Sequence, residues 1–95
     1  MNKTKLHILK IKEKWFIDIM NDKKKAELRI NDRDYHVDDL IHFTDIDGNE
    51  YYGVFNLFKI THVLPLDEVD AFAKNYVILS ITPYETHKPL WEMMK

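Results

Sequence analysis

The chain has 95 residues, 45% hydrophobic and 13% aromatic, enough for one domain with its own core and too few for two. It contains no cysteine, which excludes disulfides and thiolate metal sites and favours a cytoplasmic setting over a secreted one. Net charge is -2 at pH 7, but residues 1–33 hold ten Lys and Arg against five Asp and Glu, while the rest hold four against eleven. A basic first part joined to an acidic remainder can orient an anionic ligand or seat a charged partner protein.

Lys5 to Ile11 alternates, with Leu6 and Ile8 opposite His7, Leu9 and Ile11, and predicts a first strand. From Lys12 the period becomes helical: Trp15, Phe16, Ile19 and Met20 form one apolar stripe of a short helix that carries Lys12, Lys14 and Asp18 on its other side. Asn21-Asp22 ends that helix, both residues being better in turns than in helix interiors. Lys23, Lys24 and Lys25 follow beside the negative end of its dipole.

The next strand is the most strongly patterned in the chain. Ala26, Leu28 and Ile30 share one face and Lys25, Glu27 and Arg29 the other, which predicts an apolar face that packs and a charged face that is presented outward. An Asn31-Asp32-Arg33-Asp34 turn ends it. After Tyr35-His36-Val37 come a turn at Asp38-Asp39 and a strand over Leu40 to Thr44. The run Asp45-Ile46-Asp47-Gly48-Asn49 has the look of a calcium loop, but its glycine is fourth instead of sixth and its twelfth position is Asn56 instead of Glu. A hairpin turn with Gly48 or Asn49 in left-handed backbone accounts for it without metal.

Glu50 to Leu64 reads as one long extended segment, bent at Gly53 or Asn56, as a curved sheet requires. Pro65 stops it. Asp67 then has the place of an N-cap for a second short helix carrying Val69 and Phe72 and ended by Asn75. Tyr76 to Ile81 is β-rich and apolar on both faces, hence a central strand, and Pro83 closes it. Together these elements predict an α+β fold: a small, mixed, partly closed β-barrel with two short helices, formed by residues 1–82. Residues 83–95, with Pro89, Trp91, Met93 and Met94, are left as a tail, docked or mobile. No segment approaches the ~20 apolar residues of a membrane span, so no membrane partner is expected.

The segment Asp22-Lys23-Lys24-Lys25-Ala26-Glu27-Leu28-Arg29 resembles the Gly-x-Lys-x-x-Glu-x-Arg motif of the ASCH group of the PUA-like superfamily, with Asp22 at the glycine. The chain as a whole is similar to one small bacterial and phage family of that group. It shares the His-x-Leu-Lys opening as His7-Ile8-Leu9-Lys10, the Asn-Asp-Arg after the motif as Asn31-Asp32-Arg33, and the closing strand Tyr76 to Ile81. The resemblance covers roughly residues 5 to 82 and implies a PUA-like barrel. Two further glycines of the pattern stand here as Asp38 and Asn75, the residue types that best tolerate left-handed backbone. The resemblance also implies a cleft beside the motif in which superfamily members bind RNA or modified nucleotides, with the His7 strand close by.

The chemistry on offer is that of a binding site. The chain has no nucleophile elbow, no glycine-rich phosphate loop and no His pair at i, i+4, and its five histidines are scattered, so neither a metal nor another cofactor is expected. Lys24 and Arg29 suit phosphates, Glu27 and Asn31 suit a base edge, and Arg33 can stack or pair. Trp15, Tyr35 and Phe43 are the candidate stacking platforms, although each also suits a core, Trp15 especially. The expected nucleic-acid-binding set is thus His7, Lys10, Lys24, Glu27, Arg29, Asn31 and Arg33, in a monomer or weak dimer. Two alternatives stand beside it. One is a small amidohydrolase on an acylated or otherwise modified nucleoside, with Lys24 and Glu27 as catalytic candidates; the superfamily deacylases have a threonine where this chain has Glu27. The other is a mobile-element protein, from a prophage for example, that engages a host protein through its charged halves.

Overall fold

A computed structural model describes residues 3–84 of the chain. Its elements are β1 (Leu6–Lys10), α1 (Glu13–Met20), β2 (Ala26–Ile30), β3 (Leu40–Thr44), β4 (Phe58–Pro65), 3-10 turns at Leu66–Glu68 and Ala71–Ala73, and β5 (Tyr76–Pro83). They form an α+β fold in which five strands, in the order β1-β3-β4-β5-β2, curl into a half-barrel. The sheet is mixed: β1 runs parallel to β3, and every other pairing is antiparallel.

The core lies on the inward face of the curl. Leu9, Ile41, Phe43, Ile60, Val77 and Leu79 are closed to solvent there, and Phe16 and Ile19 of α1 pack against them. Phe16 meets the edge of Phe43 and stacks on Tyr51 with ring centroids 4.1 Å apart, so the helix is held by aromatic contact on two sides. The Tyr51 hydroxyl donates to the Ile11 carbonyl at 2.8 Å and ties the chain entering α1 to the same anchor. β5, with Val77, Leu79 and Ile81 buried and Ile78 and Ser80 half-buried, lies between β4 and β2, the interior place its two apolar faces predict. It runs on through Pro83, which pairs with Phe58 at the end of the sheet.

Three expectations are corrected. The second helix is replaced by the two 3-10 turns: the Asp70 side chain accepts the Phe72 amide, an arrangement that competes with helix, and Val69 and Phe72 are 71% and 99% exposed, so no apolar stripe holds a helix down. The long extended segment is strand only from Phe58 onward. Before it the chain turns at Gly53, whose φ of +79° suits glycine, and returns at Asn56. The buried Asn56 accepts from the Phe43 amide and donates to the Phe43 carbonyl, so one side chain does for that stretch of β3 what a paired strand would do. The irregularity in β4 falls between Ile60 and His62 instead of at Gly53 or Asn56.

The Asp45–Asn49 segment is the expected hairpin turn, with Gly48 at φ +86° and Asp45 Oδ1 accepting the amides of Asp47 and Asn49. Among the described residues no helix is long and apolar enough to cross a membrane. The tail from residue 85 onward, including Trp91, lies outside the described residues.

Candidate functional site

The site begins at the end of α1. The Asp22 amide bonds the Ile19 carbonyl, the Lys23 and Lys24 amides both bond the Asp18 carbonyl, and Asp22 sits at φ +61°. This is a Schellman-type helix stop with aspartate where glycine is usual. Asp38 likewise adopts positive φ, at 76°, while Asn75 is not among the left-handed residues. The stop reverses the chain tightly and delivers Lys24 to the start of β2. There its ammonium bonds the Ala26 carbonyl and Glu27 Oε1, the latter at 2.7 Å.

β2 faces opposite to expectation. Glu27 is buried and Arg29 half-buried, whereas Leu28 and Ile30 are 57% and 59% exposed. Register imposes this: Glu27 pairs with Leu79 and Arg29 with Val77, both inward-facing core residues of β5, and paired residues share a face. The inward charges are tolerated because they satisfy one another. Glu27 accepts from Lys24 through Oε1 and from Arg29 Nη1 through Oε2 at 3.2 Å.

β1 and β2 are the two edges of the sheet, and the curl brings them face to face. Arg29 Nη1 donates to the Lys10 carbonyl at 3.0 Å and Arg33 Nη1 to the Ile8 carbonyl at 2.8 Å. The order of these contacts makes the two edges antiparallel across the seam. Two arginine side chains therefore bridge a gap that a strand ladder would otherwise close.

Beside Arg29 the seam opens into a recess of about 420 Å³ lined by Lys10, Ile11, Lys12, Trp15, Lys24, Glu27, Leu28, Arg29 and Ile46. Its size suits a small ligand. Four cationic side chains surround one buried carboxylate, so the recess favours an anion. Trp15, 40% exposed, supplies an aromatic wall, and Ile46 of the hairpin turn stands in the same lining.

Of the residues singled out from sequence, Lys10, Lys24, Glu27 and Arg29 line this recess together. His7, Asn31 and Arg33 do not. His7 is buried on β1, its Nε2 2.8 Å from Asp39 Oδ2, with its ring 4.8 Å from that of Tyr35. Asn31 is exposed and joins the sheet through its amide to Asn75. Arg33 lies farther along the seam. Of the three aromatics, Phe43 and Tyr35 belong to the core and Trp15 to the recess, the reverse of the preference drawn from the helix stripe. Trp15 and Met20 flank that stripe; only Phe16 and Ile19 bury. Lys12 was missed. The charge excess of the first 33 residues was its only signal.

Two groups near the seam have shifted acidity. Burial pushes the Tyr35 phenol up, against the pull of the Arg29 guanidinium. For Asp39, burial acts to raise the carboxyl, but bonds from His7 and from the Lys5 and His36 amides outweigh it and hold the group below its ordinary value. Asp39 thus pins the start of β1 to the loop before β3, and no group of His, Asp or Glu suited to a metal occurs among the described residues.

A family model described as a domain of unknown function, DUF3850, matches residues 6–81, which takes in β1 to β4 and β5 as far as Ile81. No curated protein matches the chain.

Proposed function

This chain belongs to the DUF3850 family, and we propose that it binds RNA or a nucleotide in the recess beside Lys24, Glu27 and Arg29. The observation that carries the reading is the recess itself: Lys10, Lys12, Lys24 and Arg29 converge on one hollow with a half-exposed Trp15 in its wall. Cations for phosphate together with an aromatic face for a base are what single-stranded nucleic acid requires. A solvated strand of paired charges would not explain why these groups face inward over a cavity. The resemblance of the motif to the ASCH group, and with it a PUA-like form of the half-barrel, belongs to the same proposal.

The geometry favours binding over amide hydrolysis. Lys24 Nζ lies between the Ala26 carbonyl and the Glu27 carboxylate, both acceptors for an ammonium, and a lysine acting as base or nucleophile must first shed that proton. The test is a salt titration of single-stranded RNA and nucleoside monophosphate binding. Affinity should fall steeply as salt rises and should weaken in Lys24→Ala. Absence of binding to either at low salt would remove the reading.

A further inference from the structure

The seam does not end at Arg29. Leu28 and Arg29 also form part of the wall of a second hollow, of about 290 Å³, completed by Ile30, Asp32, Arg33 and Tyr35. The two hollows are neighbours along β2 and share Leu28 and Arg29 in their linings, so two adjoining units of one ligand can occupy them on either side of the Arg29 bridge. Resting on the nucleic-acid reading above, we infer that the ligand is a single strand of at least two nucleotides, laid along the β1–β2 seam, with one nucleotide in each hollow.

Spacing supports this. Arg29 and Arg33 are anchored on the carbonyls of Lys10 and Ile8, two residues apart on β1, hence about 6.6 Å apart at the rise of an extended strand. A stacked nucleic-acid strand advances about 3.4 Å per nucleotide and an unstacked one roughly twice that. The two guanidinium anchors match successive nucleotides whose bases are splayed apart, each over its own hollow. Double-stranded ligand cannot present bases in this way.

The second hollow also has base-like chemistry. Leu28 and Ile30 give it apolar surface, Arg33 is 46% exposed with donors beyond the one spent on Ile8, and Asp32 adds acceptors. An arginine and an aspartate together suit a base edge that has both acceptors and donors. A carboxylate there would oppose a second phosphate held alone. Between the hollows the strand adds main-chain groups. The Lys25 carbonyl and the Asn31 amide both engage the β5 side, so by alternation the Leu28 amide and carbonyl face the open seam.

The experiment compares a nucleoside 5'-monophosphate, a dinucleotide and a tetranucleotide of one sequence, followed by fluorescence of the native protein at fixed low salt. The dinucleotide should bind roughly 10-fold tighter than the mononucleotide, the gain of one further held base, and the tetranucleotide should add less. Arg33→Gln, which removes the guanidinium and its charge and leaves a shorter polar amide, should bring the dinucleotide-to-mononucleotide ratio close to one. A mononucleotide that binds as well as the dinucleotide, or a ratio unchanged in Arg33→Gln, overturns the inference and leaves the first recess standing. If neither ligand binds, the nucleic-acid reading itself fails and this one with it.

Discussion

Arg29 Nη1 sits 3.0 Å from the carbonyl oxygen of Lys10 and 3.2 Å from Glu27 Oε2, so a single nitrogen holds both the edge of the sheet and the buried carboxylate. Arg29→Ala should therefore lower stability by about 1–3 kcal/mol, since it frees Glu27 from one of its two cations and opens the seam. Arg29→Lys should recover less than half of that, because the lysine side chain is about one bond shorter and its ammonium falls short of the place from which Nη1 reaches both acceptors. Urea unfolding of the three proteins checks this, and a Lys variant as stable as the parent would mean that charge alone holds the seam.

The helix stop gives the opposite sign. Asp22 occupies left-handed backbone at φ 61°, which glycine adopts without steric cost, and its 3.7 Å approach to the Lys25 ammonium is between exposed groups and contributes little. Asp22→Gly should raise stability by about 0.5–1 kcal/mol. A loss of stability in thermal or urea unfolding would show that the Asp22 side chain does more than occupy the turn.

The buried pair of His7 and Asp39 makes stability depend on acid. Because the folded protein holds the Asp39 carboxyl below its ordinary value of 3.8, its ionised form stabilises the fold above that value, and the contribution is lost as pH falls through the lower folded value. Unfolding midpoints followed downward from about pH 6 should decline through this acid range in the parent protein. In Asp39→Asn that part of the decline should disappear, with stability already lower at neutral pH by about 1–3 kcal/mol for the weakened bonds to His7, Lys5 and His36.

Trp15 separates a binding role from a packing one. It is 40% exposed, while its neighbour Phe16 is 4% exposed and stacks on Tyr51. Trp15→Ala should cost under ~1 kcal/mol of stability but about 1–3 kcal/mol of nucleotide affinity. Phe16→Ala should cost about 3–5 kcal/mol of stability. Equal losses of stability in the two would place Trp15 in the core and deprive the recess of its platform.

Sequence alone determined the local structure of most elements, the stretches before Phe58 and after Pro65 excepted. The alternation of Leu6 to Ile11, the helical stripe through Phe16 and Ile19, the Asp45–Asn49 turn and the two-sided apolar run of β5 each follow from residue periods and turn chemistry acting over a few neighbours. The cluster of Lys24, Glu27 and Arg29 was legible for the same reason, being contiguous in the chain. What only tertiary structure decided was direction. Alternation shows that Glu27 and Leu28 lie on opposite faces of a strand but not which face turns inward. That depends on register with β5, where Glu27 meets Leu79 and Arg29 meets Val77, contacts about fifty residues away in sequence. The seam has the same origin. Lys10 and Arg29 come together because the sheet curls until its first and last strands meet, and that closure belongs to the whole five-stranded order rather than to either segment.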